Sequence, residues 1–251
     1  MPRTVLPVTD RAGHVAFRPC TKSFRPIRAL RRGVVFAGLI AAVSGCQERS
    51  WEQYMEAAAF AVQDGRYEEA EEWFLAADRV AARFGPSDPR GALTLTNLAD
   101  LYHAQARDNE AEPLYWESLA LLERIDGPEA PRVARFVANL AAFFTILDRY
   151  EEAEPLYLRA LDTLEWELGP AHLDVLVIRT GLAGLYLQQL RYAKAEANYR
   201  EVLATLLEAS TPDQDQLVTV LEEYAFLLRQ TARAAEAVTL EARARALRDL
   251  P

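Results

Sequence analysis

Cysteine is nearly absent from this 251-residue chain: Cys20 and Cys46 are the whole supply, and both precede the part that reads as helical. No disulfide framework and no thiolate metal site can be built inside the folded region. Histidine is as scarce. Beyond His14 near the amino terminus there are only His103 and His172, 69 residues apart and without an acidic or thiol partner at ligand spacing, so no metal motif exists. No serine stands in a nucleophile-elbow context, and no glycine-rich loop could cradle a phosphate. The residues point to no enzyme and call for no cofactor. Strand formers are thin, while Ala, Leu, Glu and Arg crowd the chain from about Trp51 onward, which predicts a mostly helical protein.

Basic residues are also unevenly spread. Residues 1–45 hold eight of the 28 lysines and arginines against a single acid, Asp10, which leaves 20 basic and 36 acidic residues, a net charge of -16, for the remainder of a chain whose total is -9. A region that acidic is a poor ligand for phosphate backbones, which argues against nucleic acid, and it attracts basic protein partners.

The apolar run that stands out near the amino terminus is Val34 to Val43, VVFAGLIAAV, directly after the basic stretch RPIRALRR from Arg25 to Arg32. That is the order of a signal peptide. As a helix such a run is roughly 15 Å long, against a hydrocarbon core of roughly 30 Å, too short for a comfortable span. The junction that follows, Val43-Ser44-Gly45-Cys46, resembles the lipobox of bacterial lipoproteins. The resemblance implies lipid attachment at the Cys46 sulfur, cleavage of residues 1–45 and a short tether over 46–50. Gln47 in place of Asp implies, within that class, release to the outer membrane, facing the periplasm, where the source has two membranes.

From residue 51 the chain repeats itself. Ala70, Ala111, Ala153, Ala195 and Ala237 are spaced by 41, 42, 42 and 42 residues, and an arginine stands four places before each, at Arg66, Arg107, Arg149, Arg191 and Arg233. Gly-Pro recurs at Gly85-Pro86, Gly127-Pro128 and Gly169-Pro170 and marks breaks between copies. Within the third copy Val137, Leu140, Ala141 and Phe144 fall at helical spacing. After a turn at Leu147-Asp148-Arg149, Ala153, Leu156, Tyr157, Ala160, Leu161 and Leu164 do so again. Each copy therefore reads as two amphipathic helices, with boundaries near 51–90, 91–132, 133–174, 175–215 and 216–249. Ala99, Ala141, Ala183 and Ala225 are placed for close helix contact, with Tyr102, Phe144 and Tyr186 filling the gap three places on. Pro113 and Pro155 are expected in the first turn of the second helices, where no intrahelical bond is lost. Acidic runs such as Glu68 to Glu72 read as solvated helix faces.

The pattern of Leu140-Ala141, Arg149 to Leu161 and Leu168 to His172 resembles the 42-residue tetratricopeptide repeat of kinesin light chains, over about Trp51 to Asp249. The resemblance implies an all-α, right-handed superhelical solenoid of five antiparallel helix pairs, whose concave face, lined by first helices, takes another protein or a peptide. Glu241 stands where Tyr157 and Tyr199 are aromatic, as expected of an end copy with no neighbour to cover it. The resemblance places Asn97 and Asn139 in the groove as contacts to a bound peptide backbone, since Asn offers donor and acceptor together. Copies one, four and five carry Glu56, Gly181 and Glu223 at that position. Asp100, His103, Arg135 and Gln188 project from first helices and are expected to tune which partner fits. The expected function is that of a lipid-anchored interaction scaffold. A permanent subunit of a larger envelope assembly is the alternative, as is a regulatory repeat protein if the leader is not processed.

Overall fold

The computed structural model describes residues 49–209 and 213–249, so the leader and Cys46 lie outside the described residues. Ten α-helices follow in pairs: α1 (Trp51–Gln63) and α2 (Tyr67–Ala81), α3 (Pro89–Ala104) and α4 (Asp108–Asp126), α5 (Pro131–Ile146) and α6 (Tyr150–Leu168), α7 (Leu173–Gln188) and α8 (Tyr192–Glu208), α9 (Gln214–Gln230) and α10 (Ala234–Arg248). No strand occurs among the described residues.

The two kinds of helix start differently. First helices begin where a side chain or a proline takes over the orphan amides: Ser50 forms a capping box with Gln53, Asp88 accepts from the Arg90 amide ahead of Pro89, Pro131 opens α5, and Asp213 accepts from the Gln216 amide. Second helices have no side-chain cap. Their start is dictated by the preceding turn, in which one residue takes a positive φ (Gly65, Ala106, Asp148, Leu190 and Ala232). That left-handed residue lets the next amide reach the carbonyl five places back, as in Arg107 N to Tyr102 O at 2.9 Å and Arg149 N to Phe144 O at 2.9 Å. The chain thus reverses within three or four residues and the two helices of a copy pack antiparallel. Gly127 and Gly169, at φ 91° and 86°, end the long second helices and release the chain toward the next copy.

The alanines that mark the repeat are the contact points. Ala70, Ala99, Ala111, Ala141, Ala153, Ala183, Ala195 and Ala237 have no exposed surface, and bulky Phe144, Leu140, Leu185, Tyr199 and Leu221 fill the space between them. Each helix pair packs on the next, and one hydrophobic cluster runs unbroken from Ala58 to Ala244. First helices also touch one another directly, α5 with α7 and α7 with α9. The layer whose members lie closest together is the inner side of a curved stack.

Two sequence expectations are corrected here. Pro113 and Pro155 are the sixth residues of α4 and α6, inside the helices and not in their first turns. Each removes the bond that the carbonyl of Asn109 or Glu151 would have accepted, and both of those residues are exposed, where solvent can take the place of the lost donor. The acidic runs are likewise not simply solvated faces, because one glutamate in each run is taken by the next copy, as described below.

The carboxyl-terminal end of the stack is closed by charge. Tyr157, Leu161 and Leu164 of α6 are buried, and two repeats later their register is held by Glu241, Arg245 and Arg248. Glu241 pairs with Arg229 at 2.6 Å and Arg248 with Glu222 at 2.7 Å. The surface that would receive another first helix is hydrophilic.

Candidate partner-binding groove

One stripe of the first helices repeats with the copies and is partly open to solvent. It runs through Leu93, Asn97 and Asp100 on α3, Arg135, Asn139 and Ile146 on α5, Val177, Gly181, Gly184 and Gln188 on α7, and Glu223 and Phe226 on α9. Leu93, Ile146 and Phe226 leave 45%, 56% and 43% of their surface exposed. The stripe therefore mixes apolar and hydrogen-bonding groups, the composition that a bound polypeptide requires.

Asn97 is half-buried and Asn139 exposed, at one register on neighbouring helices, and neither side chain hydrogen-bonds another described residue. The other candidates have partners. Asp100 accepts from the Tyr115 hydroxyl at 2.6 Å, and burial first, then the Asp100 charge, pushes the Tyr115 phenol well above its usual range. Sequence spacing left His103 without an acidic partner, but the turn brings Asp108 back to within 2.6 Å of its Nδ1, while the ring meets Phe143 edge-on at 5.1 Å. Arg135 donates through Nε to Asp174 at the start of α7. Gln188 accepts from the Tyr150 hydroxyl at 3.2 Å. These four side chains hold helices and copies together at the groove edge. His172 lies apart from the stripe and caps α7, its Nδ1 accepting from the Asp174 amide at 3.2 Å.

Sequence reasoning used the repeated arginines only to set the phase of the copies, and the structure gives them a task. Arg107, Arg149, Arg191 and Arg233, each at the turn before a second helix, reach back to the preceding copy: Arg107 to Glu71 at 2.6 Å, Arg149 to Glu112, Arg191 to Glu154 at 2.6 Å and Arg233 to Glu196 at 2.6 Å. The guanidinium holds Glu71, Glu154 and Glu196 below the usual carboxylate range. Arg107, Arg149 and Arg191 also lie over the rings of Tyr102, Phe144 and Tyr186 at 4.1, 4.4 and 4.6 Å. Arg66, in the first described copy, pairs locally with Asp64 and Glu69. The signal was legible, since an acid follows the marker alanine in four successive copies, at Glu71, Glu112, Glu154 and Glu196.

At the ladder position of copy four, Tyr157 stands where a side chain would go. A Cβ on Gly181 would lie 2.9 Å from the Tyr157 hydroxyl and 3.0 Å from its Cε1, so the second-helix tyrosine occupies the room a side chain would need. Gly181→Asn, which restores the ladder in sequence, is expected to destabilise the protein by roughly 1 to 3 kcal/mol through overpacking. Tyr157→Phe in the same chain removes the nearest atom and should recover part of the loss. Equal melting of Gly181→Asn and wild type in urea would show that Tyr157 does not set this limit.

A stack of helix pairs with a mixed polar and apolar inner face defines a helical-repeat interaction protein. The chain belongs to the tetratricopeptide repeat family, whose model matches residues 53–124 and 129–208. The fifth copy, with its charged end, lies beyond the matched span. Among solved structures, the chain is similar to BtubC (BKLC) from P. vanneervenii, with a TM-score of 0.70 at 24% identity over 78% of this chain and 79% of that one. It is also similar to a putative kinesin light chain of Podosopora anserina with nearly identical TPR-like repeats, with a TM-score of 0.67 at 20% identity over 78% and 94%. PilW, described as a widely conserved type IV pilus biogenesis factor, aligns with a TM-score of 0.56 at 17% identity over 80% and 79%. At these identities the likeness is one of fold. No curated protein matches the chain.

Proposed function

We propose that this protein is a lipid-anchored scaffold that holds another protein along the inner face of its repeats, with Asn97 and Asn139 contacting the partner's backbone. The observation that carries the reading is the pair of asparagines at one register on adjacent inner helices, neither engaged by another described residue. A donor-acceptor side chain left open on the inner face costs nothing in the free protein and pairs with a peptide group when one arrives. The acidic balance of the chain beyond residue 45 favours a basic partner, with association that weakens as salt rises. The anchor is argued from Val43 to Cys46, and among the described residues no helix is long and apolar enough to cross a membrane.

Two experiments test these parts separately. Replacing Asn97 and Asn139 together by alanine should remove two hydrogen bonds worth roughly 0.5 to 1.5 kcal/mol each to a partner captured by crosslinking in native membranes, with helicity unchanged. Loss of binding on changing Glu151 and Glu152 of α6, with the asparagine pair dispensable, would put the partner on a different surface. For the anchor, Cys46→Ser should move the protein from membranes to the soluble fraction or leave it uncleaved. An unmodified Cys46 inside the mature chain, seen by mass spectrometry, would refute the lipid attachment.

A further inference from the structure

We propose that the inner face between α7 and α9 holds a site for one cationic side chain of the partner, with the Glu223 carboxylate as counter-ion, the Tyr199 hydroxyl fixing that carboxylate and Gly184 leaving the approach open. This deepens the groove reading and rests on it.

Glu223 occupies the same register on α9 as Asn97 and Asn139 on their helices, so it belongs to the inner stripe. It is half-buried, and Oε2 accepts from the Tyr199 hydroxyl at 3.1 Å. Tyr199 itself has no exposed surface and stacks on Tyr224 at 6.0 Å, so its hydroxyl is held in place. What Glu223 lacks is a cation. Glu71, Glu112, Glu154 and Glu196 each receive an arginine from the next copy. Five arginines of the last two copies pair with other carboxylates: Arg179 with Glu165 and Glu201, Arg200 and Arg233 with Glu196, Arg229 with Glu241 and Arg248 with Glu222.

A partly desolvated carboxylate without a counter-ion is unfavourable in the free protein. Burial pushes its pKa up to about 7, the neighbouring Glu222 charge adding to the rise and the Tyr199 hydroxyl opposing it. An incoming ammonium or guanidinium group would remove that penalty and recover the attraction at once. Gly184 puts no side chain in the approach, and a Cβ there would meet only the Tyr199 hydroxyl, at 3.9 Å. The net negative charge of the chain draws cations toward the protein.

The test selects short peptides from a phage-displayed random library against the full chain, then replaces any recurring lysine or arginine by norleucine, which keeps an unbranched apolar stem and carries no charge. Selected peptides should carry a basic residue at one fixed position. Its replacement should weaken binding to wild type at least about tenfold, and binding to Glu223→Gln by no more than about twofold. The glutamine oxygen still accepts from Tyr199, so the variant keeps its fold. An equal norleucine penalty in both proteins, or groove-bound peptides with no recurring basic residue, would overturn the site while leaving the groove reading intact. Peptides indifferent to the Asn97 and Asn139 substitutions would overturn the groove reading as well, and failure to enrich any peptide counts against both.

Discussion

Replacing Glu223 by glutamine is expected to stabilise the protein above neutral pH by up to about 3 kcal/mol and to flatten its stability between about pH 4.5 and 7. Glu223 carries a pKa raised from 4.5 to about 7, chiefly by burial, so in that window the folded chain holds a proton the unfolded chain has released. Unfolding then loses a proton, and stability falls as pH rises. The contribution is complete below the unfolded value and is lost as pH climbs through about 7. The inter-copy carboxylates Glu71, Glu154 and Glu196 act in the opposite sense, because their arginines depress their pKa values. Their contribution is present above the unfolded carboxylate value and disappears as pH falls below it. The two effects occupy separate windows, so wild type should be most stable just above the carboxylate range. Urea titrations of both proteins from pH 4 to 8 isolate Glu223 in the difference curve. A difference that does not change across that range would mean the carboxylate is as well solvated folded as unfolded.

The second large effect concerns the end of the stack. Glu241→Tyr, Arg245→Leu and Arg248→Leu together rebuild on α10 the surface that Tyr157, Leu161 and Leu164 present on α6. The three changes also remove the pairs with Arg229 and Glu222. An apolar face shaped to receive a helix then has none to receive, and each large side chain gains roughly 1.5 to 3 kcal/mol on burial. Three such side chains supply roughly 4.5 to 9 kcal/mol before the cost of association is subtracted, which supports weak, concentration-dependent self-assembly. Sedimentation should show species larger than wild type, growing with concentration, at unchanged helicity. A triple variant that sediments like wild type at every concentration would mean that the charged end is not what closes the array.

Much of this architecture could be read from residue spacing. The 42-residue period, two amphipathic helices per copy and the marker alanines are local properties, since a helix needs only its own periodicity and caps to declare itself. The solvated character of copy five was visible in Glu241, a charge at a register position that is aromatic in the copies before it. The prolines misled because helix starts were placed from the pattern of apolar residues, whereas the positive-φ turn lets the second helix begin five residues before Pro113 or Pro155.

What only the tertiary structure decided is which polar groups are already engaged. Asp100, His103, Arg135 and Gln188 project along the inner side in a helical register, yet Tyr115, Asp108, Asp174 and Tyr150 meet them through the packing of other helices. Gly181 and Glu223 looked like gaps in an asparagine ladder until Tyr157 and Tyr199 were seen against them. Sequence spacing specifies where a side chain leaves its own helix. Desolvation and pairing depend on groups that arrive from 5 to 39 residues away along the chain, and those distances close only when helices pack and copies stack.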